Sequence, residues 1–314
     1  MEAWIIIAVF AHFLNAVTAI IDKHIVSNKV MKPVVYAFYS GVFQILYLLA
    51  IPVLAQLWPE MAFRFPSWWL FALATFAGAL FIFALLVFYT AMQASEVSRV
   101  TPVVGASTPI FTYLISALFM GAALEPSQLQ AFVLLVAGGL LMSVKISRQK
   151  ITQAKGMLIA VFAGMLFASY YAIISYLFNN VGFLDAFMII QFGGFAGAML
   201  LLLSPKNREA VLNMKDEEND IIENKRSGAL FIYDKVTAAI AAFMLTYAIS
   251  LAGDIRNVVI INSLEATKYA FTLMMAIILS NKLPAFFHEQ TGKGVIAQKC
   301  IALLLIAAGL ILIA

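Results

Sequence analysis

The chain has 314 residues, 63% of them hydrophobic and only 11% charged, with a formal net charge of +4 at neutral pH. A soluble domain carries about a quarter charged residues, so a water-soluble globular fold is excluded, and the basic residues form no block that would suit nucleic acid. One cysteine, Cys300, excludes an intrachain disulfide and any multi-cysteine metal site.

Ten apolar spans are predicted, at about 3–21, 34–57, 68–91, 97–120, 127–145, 156–179, 184–204, 230–252, 257–280 and 294–313. Stretches such as 65–95, 100–124 and 156–184 hold no Asp, Glu, Lys, Arg or His, and each exceeds the roughly 20 helical residues that cross a hydrocarbon core. The first span follows Glu2 rather than a basic residue, with no convincing cleavage site after it, so it reads as a retained membrane helix. Along it His12, Asn15, Thr18 and Asp22 recur at helical spacing and form one polar stripe. Span 2 does the same with Tyr36, Ser40, Gln44 and Tyr47, and Tyr89 falls near the end of span 3. Pro102 and Pro109 lie inside span 4, where proline frees backbone carbonyls and kinks a helix. Span 6 carries Tyr170 and Tyr171, and span 8 carries Tyr247. Between spans 7 and 8, residues 206–228 mix both charge signs and read as a solvated loop, helical in part. Span 9 sets Asn262, Glu265, Lys268 or Tyr269, and Thr272 on one face. Trp4, Trp58, Trp68 and Trp69 sit near span ends, as interfacial anchors do.

Glu265 and Lys268 are the sharpest signal. Glu265 lies about 12 Å along span 9 at 1.5 Å per residue, near mid-bilayer, where a lone charge costs at least about 2.5–3.5 kcal/mol. Lys268, three residues on, can pair with it. The pair is either structural, since buried pairs are often replaceable by apolar residues, or part of a transport path. In the second case Lys268 would meet a substrate carboxylate or phosphate, and Glu265 a substrate amine or a coupling proton. His12 is the only histidine within a span core; it suits either a proton-coupled step or a neutral bond to a neighbouring helix. Asn15 and Gln44 divide between interhelical bonding and cavity lining, and tyrosines can both pack and bond. The candidate substrate or coupling-ion residues are Glu265, Lys268, His12, Asn15, Gln44, Tyr36, Tyr89, Tyr171, Tyr247, Tyr269 and Asn262.

An internal repeat orders these spans. "AVFAHFLNA" (8–16) matches "AVFAGMLFA" (160–168) at six of nine positions. Residues 95–124 align without gaps on 254–283, and "VAGGLLM" (136–142) matches "AAGLILI" (307–313). The matches keep their order and divide ten spans into five and five. An odd number of spans per copy makes the two copies inverted, which is a transporter architecture with its site near the midplane. The expected units are 1–150 and 151–314. Lys and Arg concentrate after odd-numbered spans, Lys235 counted among them, while the loops after even-numbered spans hold only Arg64 and Arg256. The positive-inside rule then puts both termini outside.

The segment 89–143 resembles the signature of EamA-type permeases in the drug/metabolite transporter superfamily. Pro109, Met120-Gly121, Leu124, Gln128 and Gly138-Gly139 fall at that family's characteristic places. The acidic residue of its "L-G-E-R-L" ending falls on Ala122 and Asn281, which moves that acid to Glu125 or Glu289 or removes it. The resemblance implies a ten-helix bundle of two inverted five-helix repeats that exports or exchanges small metabolites. It also implies cytoplasmic termini, against the charge count, and both orientations stay open.

The expectation is therefore an all-α, multi-pass integral membrane protein of a bacterial inner membrane. Its function would be secondary transport of an amino acid or related solute by alternating access, in the export direction. The cavity would be lined by spans 1, 2, 4, 6, 8 and 9. A lipid or lipid-linked sugar flippase on the same fold, and a non-transporting membrane scaffold, are the alternatives. No zinc, phosphate-loop or nucleophile-elbow motif occurs, so no enzyme activity, metal or cofactor is expected. The partners are a small solute and the bilayer, not nucleic acid. The small residues of spans 5 and 10 suit close packing, within the bundle or in a homodimer.

Overall fold

The computed structural model describes residues 2–26, 32–49, 64–94, 97–143, 154–212, 225–279 and 293–313. Regular structure among them is helical: α1 (Ala3–Val26), α2 (Pro33–Phe43), α3 (Ile45–Leu49), α4 (Trp68–Ala94), α5 (Val97–Phe119), α6 (Pro126–Ser143), α7 (Ala154–Asn180), α8 (Phe183–Leu201), α9 (Pro205–Leu212), α10 (Lys225–Ala252), α11 (Ile255–Ser263), α12 (Glu265–Leu279) and α13 (Lys293–Ile313). Every predicted span contains helix. α1, α4, α5, α7, α8 and α10 are long and apolar enough to cross a membrane, and α6 and α13 carry shorter apolar runs. This is an all-helical membrane protein.

The helices satisfy themselves in an apolar setting. Thr75 and Thr90 donate to the carbonyls of Phe71 and Leu86 at 2.9 and 2.7 Å, and Ser169 donates to Met165 at 2.9 Å. Such back-bonding hides a hydroxyl from lipid without a second helix. Prolines open α2, α6 and α9, where the missing N–H costs nothing. At the turn from α10 to α11, Gly253 adopts φ +66°, which favours glycine, and Asp254 caps α11 through the Arg256 amide at 2.8 Å.

Pro102 and Pro109 both lie inside α5, which runs as one helix through them. The helical assignment is interrupted at Gln44 and Leu264, dividing spans 2 and 9. The polar segment 206–228 begins as the short helix α9 and ends inside α10; residues 213–224 lie outside the described part.

The tightest packing joins α4 to α8. A Cβ on Gly197 would lie 2.7 Å from the Ala79 Cα, and one on Gly78 would lie 2.7 Å from the Gly193 carbonyl carbon. Only glycine lets the two backbones come this close. α2 joins the same seam, with Gly41 against Ala198 and the Gln44 side chain on Gly194. α1 packs along α10, α4 along α7, α5 along α7 and α6 along α13, and α5 crosses α11. α10 has no comparable backbone packing on α2, α3 or α8. Side chains span that cleft instead: Tyr47 Oη donates to the Ala239 carbonyl at 2.8 Å, and Phe183 and Phe187 meet Phe243 edge-on.

Candidate functional site

The break between α11 and α12 builds the site. Asn262, Ser263 and Thr267 carry side chains that compete for backbone groups. The Ser263 hydroxyl donates to the Ile260 carbonyl and the Thr267 hydroxyl to the Leu264 carbonyl, both at 2.7 Å. The Thr267 amide also turns to Leu264, at 2.9 Å, so the regular ladder is interrupted for about one turn. Leu264 itself keeps right-handed helical dihedrals (φ −62°, ψ −12°) and its amide still bonds the Ile260 carbonyl at 2.9 Å, so the chain runs on through one loosened turn in the interior.

Charged and polar side chains gather there. Glu265 opens α12 and pairs with Lys268 Nζ, both side chains being mostly buried. The Lys268 ammonium also lies 5.2 Å from the Tyr269 ring centroid. Tyr269 Oη donates to the Thr101 carbonyl of α5 at 3.1 Å. His12 of α1 is buried, with Nε2 3.2 Å from the Ile261 carbonyl at the end of α11. That contact puts a proton on Nε2, and in the neutral ring Nδ1 is then an acceptor. Nδ1 is buried without a hydrogen-bond partner among the described residues. Asn262 donates to the Thr112 hydroxyl at 3.0 Å, which ties α11 to α5.

The surroundings are small. Gly105, Ala106, Gly139, Ser263 and Ala266 line a narrow crevice beside Tyr269. A Cβ on Gly105 would sit 3.1 Å from the Glu265 carboxyl carbon. Pro109 supplies no N–H to the Gly105 carbonyl one turn earlier, so the proline thins the polar ladder beside this crevice although α5 stays helical.

The predicted residues divide. Glu265, Lys268, Tyr269, His12 and Asn262 come together at the break, and Tyr171 of α7 lies within electrostatic reach of Glu265. Tyr36 and Tyr89 form a separate group, their ring centroids 4.7 Å apart. Gln44 sits at the α2–α3 joint with Oε1 buried and without a hydrogen-bond partner among the described residues. Tyr247 belongs to the aromatic cluster with Phe183 and Phe243. Asn15 is half-buried on α1, its carbonyl accepting from the Thr18 hydroxyl at 3.1 Å. The Asp22 side chain lies outside the described residues.

Sequence reasoning missed Gly105, the break at Leu264, and the pair Asp234–Lys235. Lys235 had been counted as a loop charge, yet it lies inside α10 with Nζ 3.0 Å from Asp234 Oδ2. Its position within the predicted span 230–252 was the available signal. Of the two places considered for the displaced family acid, Glu125 lies 3.9 Å from Arg256, and Glu289 lies outside the described residues.

Comparison with known proteins adds two findings. Residues 2–144 match the model of the EamA-like transporter family. A solved crystal structure, described only as that of a protein, shares the fold with a TM-score of 0.65 and 16% identity, covering 100% of this chain and 96% of that one. No curated protein matches by sequence.

Proposed function

We propose, from the match of residues 2–144 to the EamA-like transporter family, that the chain is a transporter of this kind and moves a small zwitterionic solute, an amino acid or a close relative, by alternating access. The observation that carries this reading is the mostly buried Glu265–Lys268 pair beside the loosened turn at Leu264. Lys268 suits a carboxylate, while Glu265 and the unpartnered Nδ1 of His12 suit an ammonium. The small residues along the crevice restrict the solute to a short side chain.

In this reading the fold is ten spans in two inverted repeats, 1–150 and 151–314. Three packing relations support it. α4 on α7 and α1 on α10 are counterparts under exchange of the repeats, as are α5 on α7 and α12 on α1; α6 on α13 maps onto itself. The protein resides in a bacterial inner membrane, and export is the direction the family likeness favours. Purified protein in proteoliposomes tests it by counterflow of glycine, L-alanine and L-serine. Uptake that is lost in Glu265→Gln and in Lys268→Met is expected. Transport that survives both changes would remove the pair from the path, and failure of all three solutes would sink the zwitterion reading.

A further inference from the structure

A second ion pair lies where α10 faces α2. Asp234 is fully buried on α10, and its neighbour Lys235 is three-quarters buried. Lys235 Nζ donates to Tyr36 Oη of α2 at 2.8 Å and lies 4.4 Å from the centre of that ring, which packs on Tyr89 of α4. These contacts cross the cleft in which α10 stands back from α2.

The repeat says what could have stood there. Carrying the gapless register of 95–124 on 254–283 back by one helix sets Thr75 opposite Asp234 and Phe76 opposite Lys235. Thr75 lies in the α4–α8 seam, where a Cβ on Gly193 would come 2.7 Å from its Cα. The first copy therefore joins this helix to its neighbour with uncharged, close-packed residues. The second copy spends two charges at the same place and leaves the counterpart interface apart. A buried ion pair is poor at stabilising a fold compared with apolar packing, and here the apolar solution exists in the same chain. Along their helices Lys235 and Glu265 lie about 25 and 15 Å from the Gly253 turn at 1.5 Å per residue. The Lys235 group is thus nearer the face at which α10 begins, and the Glu265 group is deeper.

We propose that Asp234, Lys235 and Tyr36 form a second binding station for the same zwitterionic solute, at the end of the α10 cleft nearer the start of that helix. Lys235 and Tyr36 receive the carboxylate and Asp234 the ammonium, each exchanging a contact within the protein for one with the solute. This rests on the transport reading above. The two stations share one chemistry, an acid and a lysine beside a tyrosine face, so a solute can be passed between them without a bare charge at either.

The test is sided transport of L-alanine in right-side-out and inside-out vesicles that hold the full-length protein. Propionate and ethylamine serve as probes with one charge each. Lys235→Gln should raise the half-saturating L-alanine concentration about ten-fold, the scale of one charged hydrogen bond. The rise should appear only when L-alanine is supplied on the face at which α10 begins. Lys235→Arg should recover most of it, and neither single-charge probe should be exchanged. Tyr36→Phe keeps the ring and loses the hydroxyl; it should give a smaller rise on the same face, and it decides the matter if Lys235→Gln does not fold. An equal change on both faces, or none, overturns the second station while leaving the Glu265 site standing. A wild-type protein that moves no L-alanine overturns the zwitterion reading and this inference with it.

Discussion

The α4–α8 seam and the α10 cleft are built in opposite ways, although in the proposed repeat they would occupy counterpart places. In the seam Gly78, Gly193 and Gly197 bring backbones together, so no side chain can yield. In the cleft the separation is filled by Tyr36 and Lys235 at one end, Tyr47 in the middle and the Phe183–Phe187–Phe243 cluster at the other. Side chains can change rotamer on a nanosecond scale, whereas a backbone contact moves only with its helix. One interface is suited to be a hinge or fixed wall and its counterpart to open. The alternating access proposed above would need both, and one loosened contact in the proposed repeat would provide them.

The largest effect should come from locking the cleft. In a Cys300→Ser background, a short bifunctional thiol reagent across Tyr47→Cys and Ala239→Cys should arrest counterflow. The same reagent across Phe71→Cys and Phe192→Cys, whose rings meet between α4 and α8 with centroids 6.3 Å apart, should leave it near the uncrosslinked rate. Arrest by the seam crosslink alone would reverse the assignment of wall and gate. Bulk tests the same contrast through stability. Gly78→Leu drives a side chain into the α8 backbone and should exceed the ~1–3 kcal/mol usual for overpacking, read as loss of monodisperse protein. Ala239→Leu enters the cleft and should be tolerated by the fold.

The Glu265–Lys268 pair comes next. Removing one partner leaves a mostly buried charge alone, at a cost of about 3–5 kcal/mol, while removing both can be nearly neutral. Glu265→Gln and Lys268→Met should each lower thermal stability more than the double variant does, and all three should be inactive. A double variant that is stable and still active would make the pair structural only.

How much of this could be read in advance depends on the physics of each feature. Helix positions follow from composition, because a bilayer demands long uncharged runs, and the runs were plain. The Glu265–Lys268 pair was legible for the same reason: two charges in such a run must face one another or a cavity. The break beside them was not. Proline is the usual marker of an interrupted helix, and it pointed to Pro102 and Pro109, where α5 holds together. The break at Leu264 comes from Ser263 and Thr267 turning their hydroxyls onto nearby carbonyls, a weaker and commoner signal. The glycines of "QFGGFAG" (191–197) announced a close contact but not its partner, which only the tertiary arrangement selects. Lys235 was hidden by a rule of thumb, since basic residues near a span end are normally counted as loop charges.

Smaller effects refine the contrast. Tyr47→Phe deletes the one hydrogen bond described from α3 to α10 and should cost about 0.5–1.5 kcal/mol at most. If the cleft is the moving contact, the variant should alter the exchange rate while half-saturation stays put. A change in half-saturation alone would place Tyr47 in solute binding instead.

The smallest effect belongs to the turn from which α10 and α11 diverge. Asp254 lies at a span end, where the hydrogen bonds and charge of Arg256 hold its carboxyl below the usual range despite partial burial. A carboxyl depressed on folding contributes stability that is present above its unfolded pKa, about 3.9, and is lost as pH falls through the lower folded value. Asp254→Asn keeps a competent cap and removes only the charge. It should therefore be slightly less stable than wild type at neutral pH and converge with it at pH 3 and below. Asp254→Ala loses the cap as well and should cost about 0.5–2 kcal/mol, with a residual deficit that acid does not remove. If Asn and Ala behave alike at every pH, the ion pair and not the cap positions α11, and the register of the break at Leu264 depends on a surface charge.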